Sequence, residues 1–439
     1  MATEISETGF TTAAASRPQT QARVYGLLWR LHFYAGLLVA PILIWAAITG
    51  TLYVFNPQIE AFLYRSLYSV TPQGQAQSLD AQLAAVRATY PDALITQIAP
   101  APAPDRTTQF VISPAGDHGH AGHHHGPSIN RSVYVNPYTA MVVGDLAEEA
   151  RFKTRLKNLH GNFMQGETGR VVMELGASWL LILLLSGVVL WFPRTHHRIW
   201  GVWLPRLRRG GRIAWRDLHS IGGVVFLPLL IVLVATGLTW SHFSGQIYGA
   251  TRDALGQNIP LFGAFTSGPP AGLPPISIGQ VERIVQAQGV SVAYTMTPPR
   301  DAYGAYRIIT AEPQRPQEWR FLVIDQYSGV STQNIGWADT PLLMKLSIIG
   351  IPFHRGELGL WNQVVNTAAC LMIIGSVISG VLMWWKRRPA GAPPRQPARA
   401  IPRSLIIIGG LMLALLPTAG ASFLVIALID QLIARRIKE

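Results

Sequence analysis

Four histidines occupy matched places in two halves of the chain. "WRLHFYAGLLVAPILIWAAITG" carries His32, and "WRDLHSIGGVVFLPLLIVLVATG" carries His219 at the corresponding point. Along that alignment Gly36 meets Gly223, Pro41 meets Pro228, and Thr49-Gly50 meets Thr236-Gly237. Further on, "LHGNFMQGETG" holds His160 and "FHRGELG" holds His354. Each is followed by an apolar run ending in a matched Ser-Gly, Ser186-Gly187 or Ser379-Gly380. Neutral imidazole is a good transition-metal ligand. Ionisable groups inside membrane bundles are usually functional. Two facing histidines with few acidic groups nearby suit the two axial positions of a b-type haem in a helical bundle. On this reading His32 and His219 hold one haem, and His160 and His354 hold a second. Two haems near opposite membrane faces would form an electron path.

Competing chemistry is weaker. The runs offer few carboxylates, chiefly Glu174 with Glu167 and Glu357 at the flanks, which disfavours a di-iron site. Two-histidine sets make poor tetrahedral zinc sites. The one cysteine, Cys370, allows no disulfide or cysteine-held cluster within the chain. No CxxCH motif is present for covalent haem. No GxGxxG follows a strand, so a redox role needs a separate electron donor.

Other histidines lack a counterpart in the second repeat and rank behind these four. His242 is an alternative to His160 or His354, and His196 and His197 in "PRTHHRIW" are alternatives at the inner haem. "DHGHAGHHHG" gathers His118, His120, His123, His124 and His125. It reads either as an accessory metal-binding loop or as a solvated loop without a defined site. Gly36, Gly161, Gly222, Gly223 and Gly356 leave room for a flat macrocycle, and serve close helix packing equally well.

The elements that must position these residues are apolar. The chain has 439 residues, of which 49% are hydrophobic and 13% charged. Five apolar runs approach or exceed the roughly 20 residues that cross a bilayer: 31–55, 171–192, 221–240, 364–385 and about 405–433. The N-terminal segment has acidic residues and no apolar stretch before Tyr25, so the first run is expected to insert and stay. The net charge of +13 is concentrated in seven arginines over 194–216 and six basic residues over 386–403. Short basic loops stay in the cytoplasm. The charge therefore reads as topology and contact with a lipid bilayer, with no nucleic acid as partner. The N-terminus is then cytoplasmic and the two long inter-span segments lie outside.

The expected fold is a polytopic α-helical membrane protein. A tandem duplication makes a pseudo-two-fold four-helix bundle plus a C-terminal helix, with two α+β outer domains. The expected layout runs in this order: a tail over 1–26, a span over 27–56, an outer domain over 57–158, and a histidine segment with its span over 159–193. A basic loop (194–218), a third span (219–242) and a second outer domain (243–345) follow. The chain ends with a histidine segment and span (346–385), a basic loop (386–403) and a C-terminal element (404–439). That last run is broken near Pro417 and reads as one kinked helix or a re-entrant hairpin. Each outer domain reads as helix, strand, strand. The helices are "SLDAQLAAVRATYP" and "SIGQVERIVQAQG". The turns lie at Asn136-Pro137 and near 325–329.

"RLHFYAGL", "LHGNF", "DLHSIGG", "FHRGELG" and "VYVNPYTAMVVG" together resemble the PepSY-associated transmembrane family over about 29–388. The last motif is similar to that family's strand–DPxTG–strand signature, from which Asn136 and Ala140-Met141 depart. The resemblance extends to inner-membrane ferric-siderophore reductases that carry two haems. It implies a bacterial inner-membrane protein with two PepSY-like periplasmic domains. Electrons from a cytoplasmic or quinol donor would pass to a periplasmic ferric siderophore, and Fe(II) would be released for uptake. Two other classes stay open: a membrane-anchored PepSY module that binds a protease or other partner, and a transporter. A transporter needs polar groups at mid-span, where Thr49 and Thr236 are the main ones.

Overall fold

The computed structural model describes residues 17–114, 130–192, 199–259, 265–268, 272–311, 315–386, 407, 410, 411 and 414–425. The first repeat runs α1 (Arg17–Val54), α2 (Asn56–Leu63), α3 (Arg65–Tyr68), α4 (Leu79–Thr89), β1 (Leu94–Ala99), β2 (Thr108–Ser113), β3 (Arg131–Val135), β4 (Val142–Ala147), α5 (Phe152–Asn162) and α6 (Gly166–Trp191). The second runs α7 (Gly211–Val225), α8 (Leu227–Leu238), α9 (Phe243–Ala254), α10 (Ile278–Ala287), β5 (Tyr294–Thr297), β6 (Ala305–Thr310), β7 (Arg320–Asp325), β8 (Ser331–Gly336), α11 (Leu342–Arg355) and α12 (Leu360–Trp385). The chain forms two compact units. One comprises residues up to Ala47, Val172–Leu238 and Ala369 onward, and the other Ile48–Val171 and Thr239–Ala368.

The first unit is helical. Among the described residues, Tyr25–Val54, Gly166–Trp191 and Leu360–Trp385 are long and apolar enough to cross a membrane. α7 and α8 add a fourth span if taken together, but they meet at a bend of 62°. Pro228 lies just past that bend; it lacks an N–H and its ring clashes with the carbonyl four residues back. The third span expected over 219–242 therefore carries a bend near Phe226. The loop expected up to 218 is corrected, because α7 begins at Gly211 and carries His219 within it. His32 likewise lies well inside α1. No breaker interrupts either stretch, so the helix extends past the apolar run into its basic flank. Ala35, Val39 and Leu43 of α1 pack on Trp179, Ile182 and Leu183 of α6 and on Ala419. Gly176 allows a close crossing, because a Cβ there would overlap Ile42. Residues 417–425 are helical after a break at Leu416, and Ser422 accepts a hydrogen bond from Trp179 Nε1 at 3.0 Å.

The second unit is built on one antiparallel sheet of eight strands, ordered β4-β3-β2-β1-β5-β6-β7-β8. The two expected outer domains are therefore halves of one sheet, joined where Ile98 of β1 pairs with Met296 of β5. Each half has a helix and four strands; the expected strand segments and their turns cover β2–β4 and β6–β8, and β1 and β5 are additional. β1 ("LITQIA") and β5 ("YTMT") are short and mixed in polarity, so their own sequence gives a weak signal and pairing with neighbours makes them strands. The helices start where Ser78 and Ser277 accept hydrogen bonds from Ala81 N and Gln280 N. Their apolar faces, Leu83 and Val86 on α4 and Val281 and Val285 on α10, cover alternate strand residues such as Phe110, Val133, Ile308 and Leu322. Asp80 of α4 accepts from Ser277 Oγ and Gly279 N at the start of α10, at 2.9 and 3.2 Å, which ties the repeats together.

Candidate functional site

In the helical unit, α1 and α7 bring His32 and His219 together, with ring centroids 6.1 Å apart and planes at 83°. The hydrogen bonds fix both tautomers. His219 Nδ1 lies 3.0 Å from the Ser376 carbonyl, which can only accept, so this nitrogen carries the proton. Ser379 Oγ donates to the same carbonyl at 3.0 Å and accepts from His219 Nδ1 at 3.2 Å. In the matching place Ser186 Oγ donates to the Leu183 carbonyl at 3.2 Å and so accepts from His32 Nδ1 at 2.9 Å. In both rings the lone pair is left on Nε2, the arrangement that orients a metal-binding imidazole. Of the two Ser-Gly glycines, Gly187 makes space for its ring, while Gly380 stands at an ordinary contact distance. A Cβ on Gly187 would sit 3.3 Å from His32 Cε1, and one on Gly380 would sit 3.9 Å from His219 Cε1.

Both histidines line a cavity of about 760 Å³, walled by Trp29, Phe33, Trp191 and Trp384 and by Gly36 and Gly223. At one part of its wall stand Arg206, Arg212 and Arg216. Asp217, fully buried, accepts from Arg206 Nε at 2.8 Å and Arg216 Nη2 at 2.6 Å.

In the sheet-containing unit, α5 and α11 bring His160 and His354 together, with ring centroids 6.4 Å apart and planes at 56°. Both rings lie in the last turn of their helices. Each of these helices ends in a left-handed residue, Phe163 at φ 53° and Gly356 at φ 76°. Thr49 Oγ1 lies 2.9 Å from His160 Nδ1. The end of α11 is held by α12, where Asn362 and Asn366 donate to the Phe353 carbonyl at 3.0 and 2.6 Å. The start of α5 is held by Glu60 of α2, a buried carboxylate that accepts from Lys153 N at 2.9 Å and Arg151 Nη2 at 3.0 Å. Glu357 stands beside Arg355 and lies 3.7 Å from Lys153 Nζ.

The donor set fits haem. Each pair offers two closely spaced imidazoles, and those of the first pair carry the lone pair on Nε2. The observed separations are 6.1 and 6.4 Å. Among the described residues no three His, Cys, Asp or Glu side chains gather where they could hold a bare metal ion.

The sequence expectation paired the four histidines as the structure does. It aligned the two Ser-Gly pairs without giving them a role, and it passed over Asp217. A buried acid two residues before a ligand candidate was the available signal. His242 is placed otherwise: its Nδ1 lies 2.6 Å from Glu167 Oε2, a carboxylate that also pairs with Arg170 at 3.0 Å. His196, His197 and the cluster His118, His120, His123, His124 and His125 lie outside the described residues.

A helical membrane protein with a duplicated core and two histidine pairs is the class these features define. The chain belongs to the PepSY-associated TM region family, which matches it over residues 29–387. It is also similar to an uncharacterized protein, PA4219, of Pseudomonas aeruginosa, at 42% identity over 84 residues. That match covers 19% of this chain and 20% of the relative, so the chain spans about a fifth of the length of the curated relative it matches.

Proposed function

We propose that this protein is a di-haem b oxidoreductase of the bacterial inner membrane that delivers electrons to a periplasmic ferric siderophore. His32 and His219 would hold one haem, and His160 and His354 the other. Bound there, the haems would supply one-electron Fe(III)/Fe(II) chemistry. The observation that carries this reading is that both histidine pairs form across the two repeats: imidazoles at 6.1 and 6.4 Å, each pair with an Nδ1 engaged by a hydroxyl.

The chain's own part is positional. Ser186, Ser379 and the Ser376 carbonyl keep the proton on Nδ1 and the lone pair on Nε2 at the first pair. Asn362 and Asn366 fix the helix end that carries His354, and Glu60 fixes the start of the helix that carries His160. The basic loops support a donor, quinol or protein, on the cytoplasmic side and a sheet on the periplasmic side. One electron per ferric ion lowers its charge and weakens its hold on hard oxygen ligands, which frees Fe(II).

The test is the visible spectrum of the detergent-purified protein before and after dithionite, with haem quantified per chain. Two haems per chain and a sharpened low-spin α-band are expected, with one haem lost in His32→Ala and one in His354→Ala. The dithionite-reduced protein, freed of excess reductant, should turn a ferric siderophore into chelator-trapped Fe(II). A colourless protein from haem-replete cells would refute the haem sites. A haem protein that no ferric siderophore reoxidises would refute the substrate.

A further inference from the structure

Three guanidinium groups, Arg206, Arg212 and Arg216, stand in the wall of the cavity that holds His32 and His219. The lining is otherwise largely apolar, and no carboxylate lines it among the described residues. Two of these arginines are held in place. Asp217, with no exposed surface, accepts from Arg206 through its backbone N–H, Nε and Nη2, at 3.1, 2.8 and 3.0 Å. It also accepts from Arg216 Nε and Nη2 at 3.1 and 2.6 Å. Gly201, at φ +85°, clears the space for one of them, since any Cβ there would overlap the Arg206 guanidinium. Arg212 has no acidic partner among the described residues. Three positive charges against one carboxylate leave a surplus of two at one part of an apolar cavity.

A surplus of two charges beside an apolar slot calls for a flat apolar ligand with two anionic groups on one edge. Iron protoporphyrin IX has that pattern: an apolar ring with two propionate carboxylates side by side. Planar guanidinium matches a carboxylate through paired N–H donors. We propose that Arg212 and Arg216, with Arg206 behind them, bind the propionates of the haem held by His32 and His219. This rests on the haem reading above and goes beyond it by fixing which edge of the ring faces the arginines.

The test uses the full chain made in haem-deficient cells and placed in lipid nanodiscs, in a His354→Ala background so that the first pair alone reports. It is titrated with iron protoporphyrin IX and with its dimethyl ester, which keeps the iron and the ring but lacks the two charges. The low-spin absorption band is the readout. The protein with its arginines intact should bind the free acid at least ten-fold more tightly than the ester. Arg212→Gln with Arg216→Gln should lose that preference and still bind the ester as before, which shows that the site is folded. Equal binding of acid and ester with the arginines present, or a preference that survives their removal, would overturn the inference. In that case dependence on anionic lipid would assign the arginines to headgroup phosphate. Failure of both porphyrins to give a low-spin band would refute the haem reading itself.

Discussion

Ser186 and Ser379 occupy equivalent places, yet their removal should not cost the same. His32 has one hydrogen-bonded acceptor for its Nδ1 proton, Ser186 Oγ at 2.9 Å. The Leu183 carbonyl faces this ring without closing a hydrogen bond of normal geometry. His219 has two acceptors, the Ser376 carbonyl at 3.0 Å and Ser379 Oγ at 3.2 Å. Ser186→Ala therefore leaves the donor only the poorly aligned Leu183 carbonyl, at a cost of about 2 kcal/mol, or roughly 30-fold in affinity. Ser379→Ala leaves the stronger acceptor in place and should cost about 0.7 kcal/mol, or roughly three-fold. The assay is haem retention at the first pair against an external haem scavenger, in a His354→Ala background. Ser186→Thr keeps the hydroxyl and should restore retention. Equal losses for the two alanine variants, or a larger loss for Ser379→Ala, would refute the tautomer argument.

Three further outcomes follow from the sheet and its links. Ala140 sits at φ 54° where the matching turn has Gly329 at φ 71°; Ala140→Gly should stabilise the β3–β4 turn by about 1 kcal/mol, read as slower amide exchange there. Burial pushes the Asp325 carboxyl up, but the N–H groups of Ser328, Gly268 and Tyr327 outweigh it and hold it at about 2. A lowered carboxyl stabilises the fold above its unfolded value and loses that as pH falls through the folded one. Protection of β7 and β8 should therefore drop by about 1 kcal/mol, after allowance for solvent screening, between about pH 4 and pH 2, and Asp325→Asn should abolish the dependence. At the junction of the repeats, a Cβ on Gly279 would lie 2.5 Å from Asp80 Oδ2; Gly279→Ala should break that cap and cost about 1 kcal/mol in the unfolding midpoint.

The duplication and the pairing of histidines were legible because both rest on residue identity at fixed spacing. His32 with His219 and His160 with His354 could be matched by reading two halves of one chain. Apolar runs of sufficient length marked the spans for the same reason. What could not be read were features that depend on partners far away in sequence. β1 pairs with β2 on one side and β5 on the other, and its segment carries no clear alternation of its own. The sheet's continuity across the repeats rests on that pairing, so two domains were expected where one sheet exists. The helical start at Gly211 was missed because a basic, Trp-containing stretch resembles a loop by composition, although nothing in it breaks a helix. The 62° bend lies beside Pro228, while α1 runs through the matched Pro41. The same residue at the same place thus had two outcomes, and only packing distinguishes them.

The internal repeat also weighs the functional reading against an anchor that merely holds the sheet in the membrane. Several differences between the two halves fall on turns, caps and bends: Asn136 against Asp325, Ala140 against Gly329, Asp80 against Gly279, and α1 running through Pro41 against the bend between α7 and α8. Among the residues on which they agree in the helical unit, one matched pair of serines bonds the histidines. Ser186 and Ser379 each accept a hydrogen bond from an Nδ1, and Gly187 leaves space at the His32 Cε1. An anchor has no use for a hydroxyl that sets a tautomer, and bilayer packing alone would be served by alanine at Ser186 and Ser379. A two-fold arrangement that varies its turns but keeps the tautomer of both rings supports the proposed ligand between two imidazoles. Replacing both serines by alanine should then leave insertion and the spans intact while haem at the first pair is lost. A variant that failed to insert would assign the serines to packing instead.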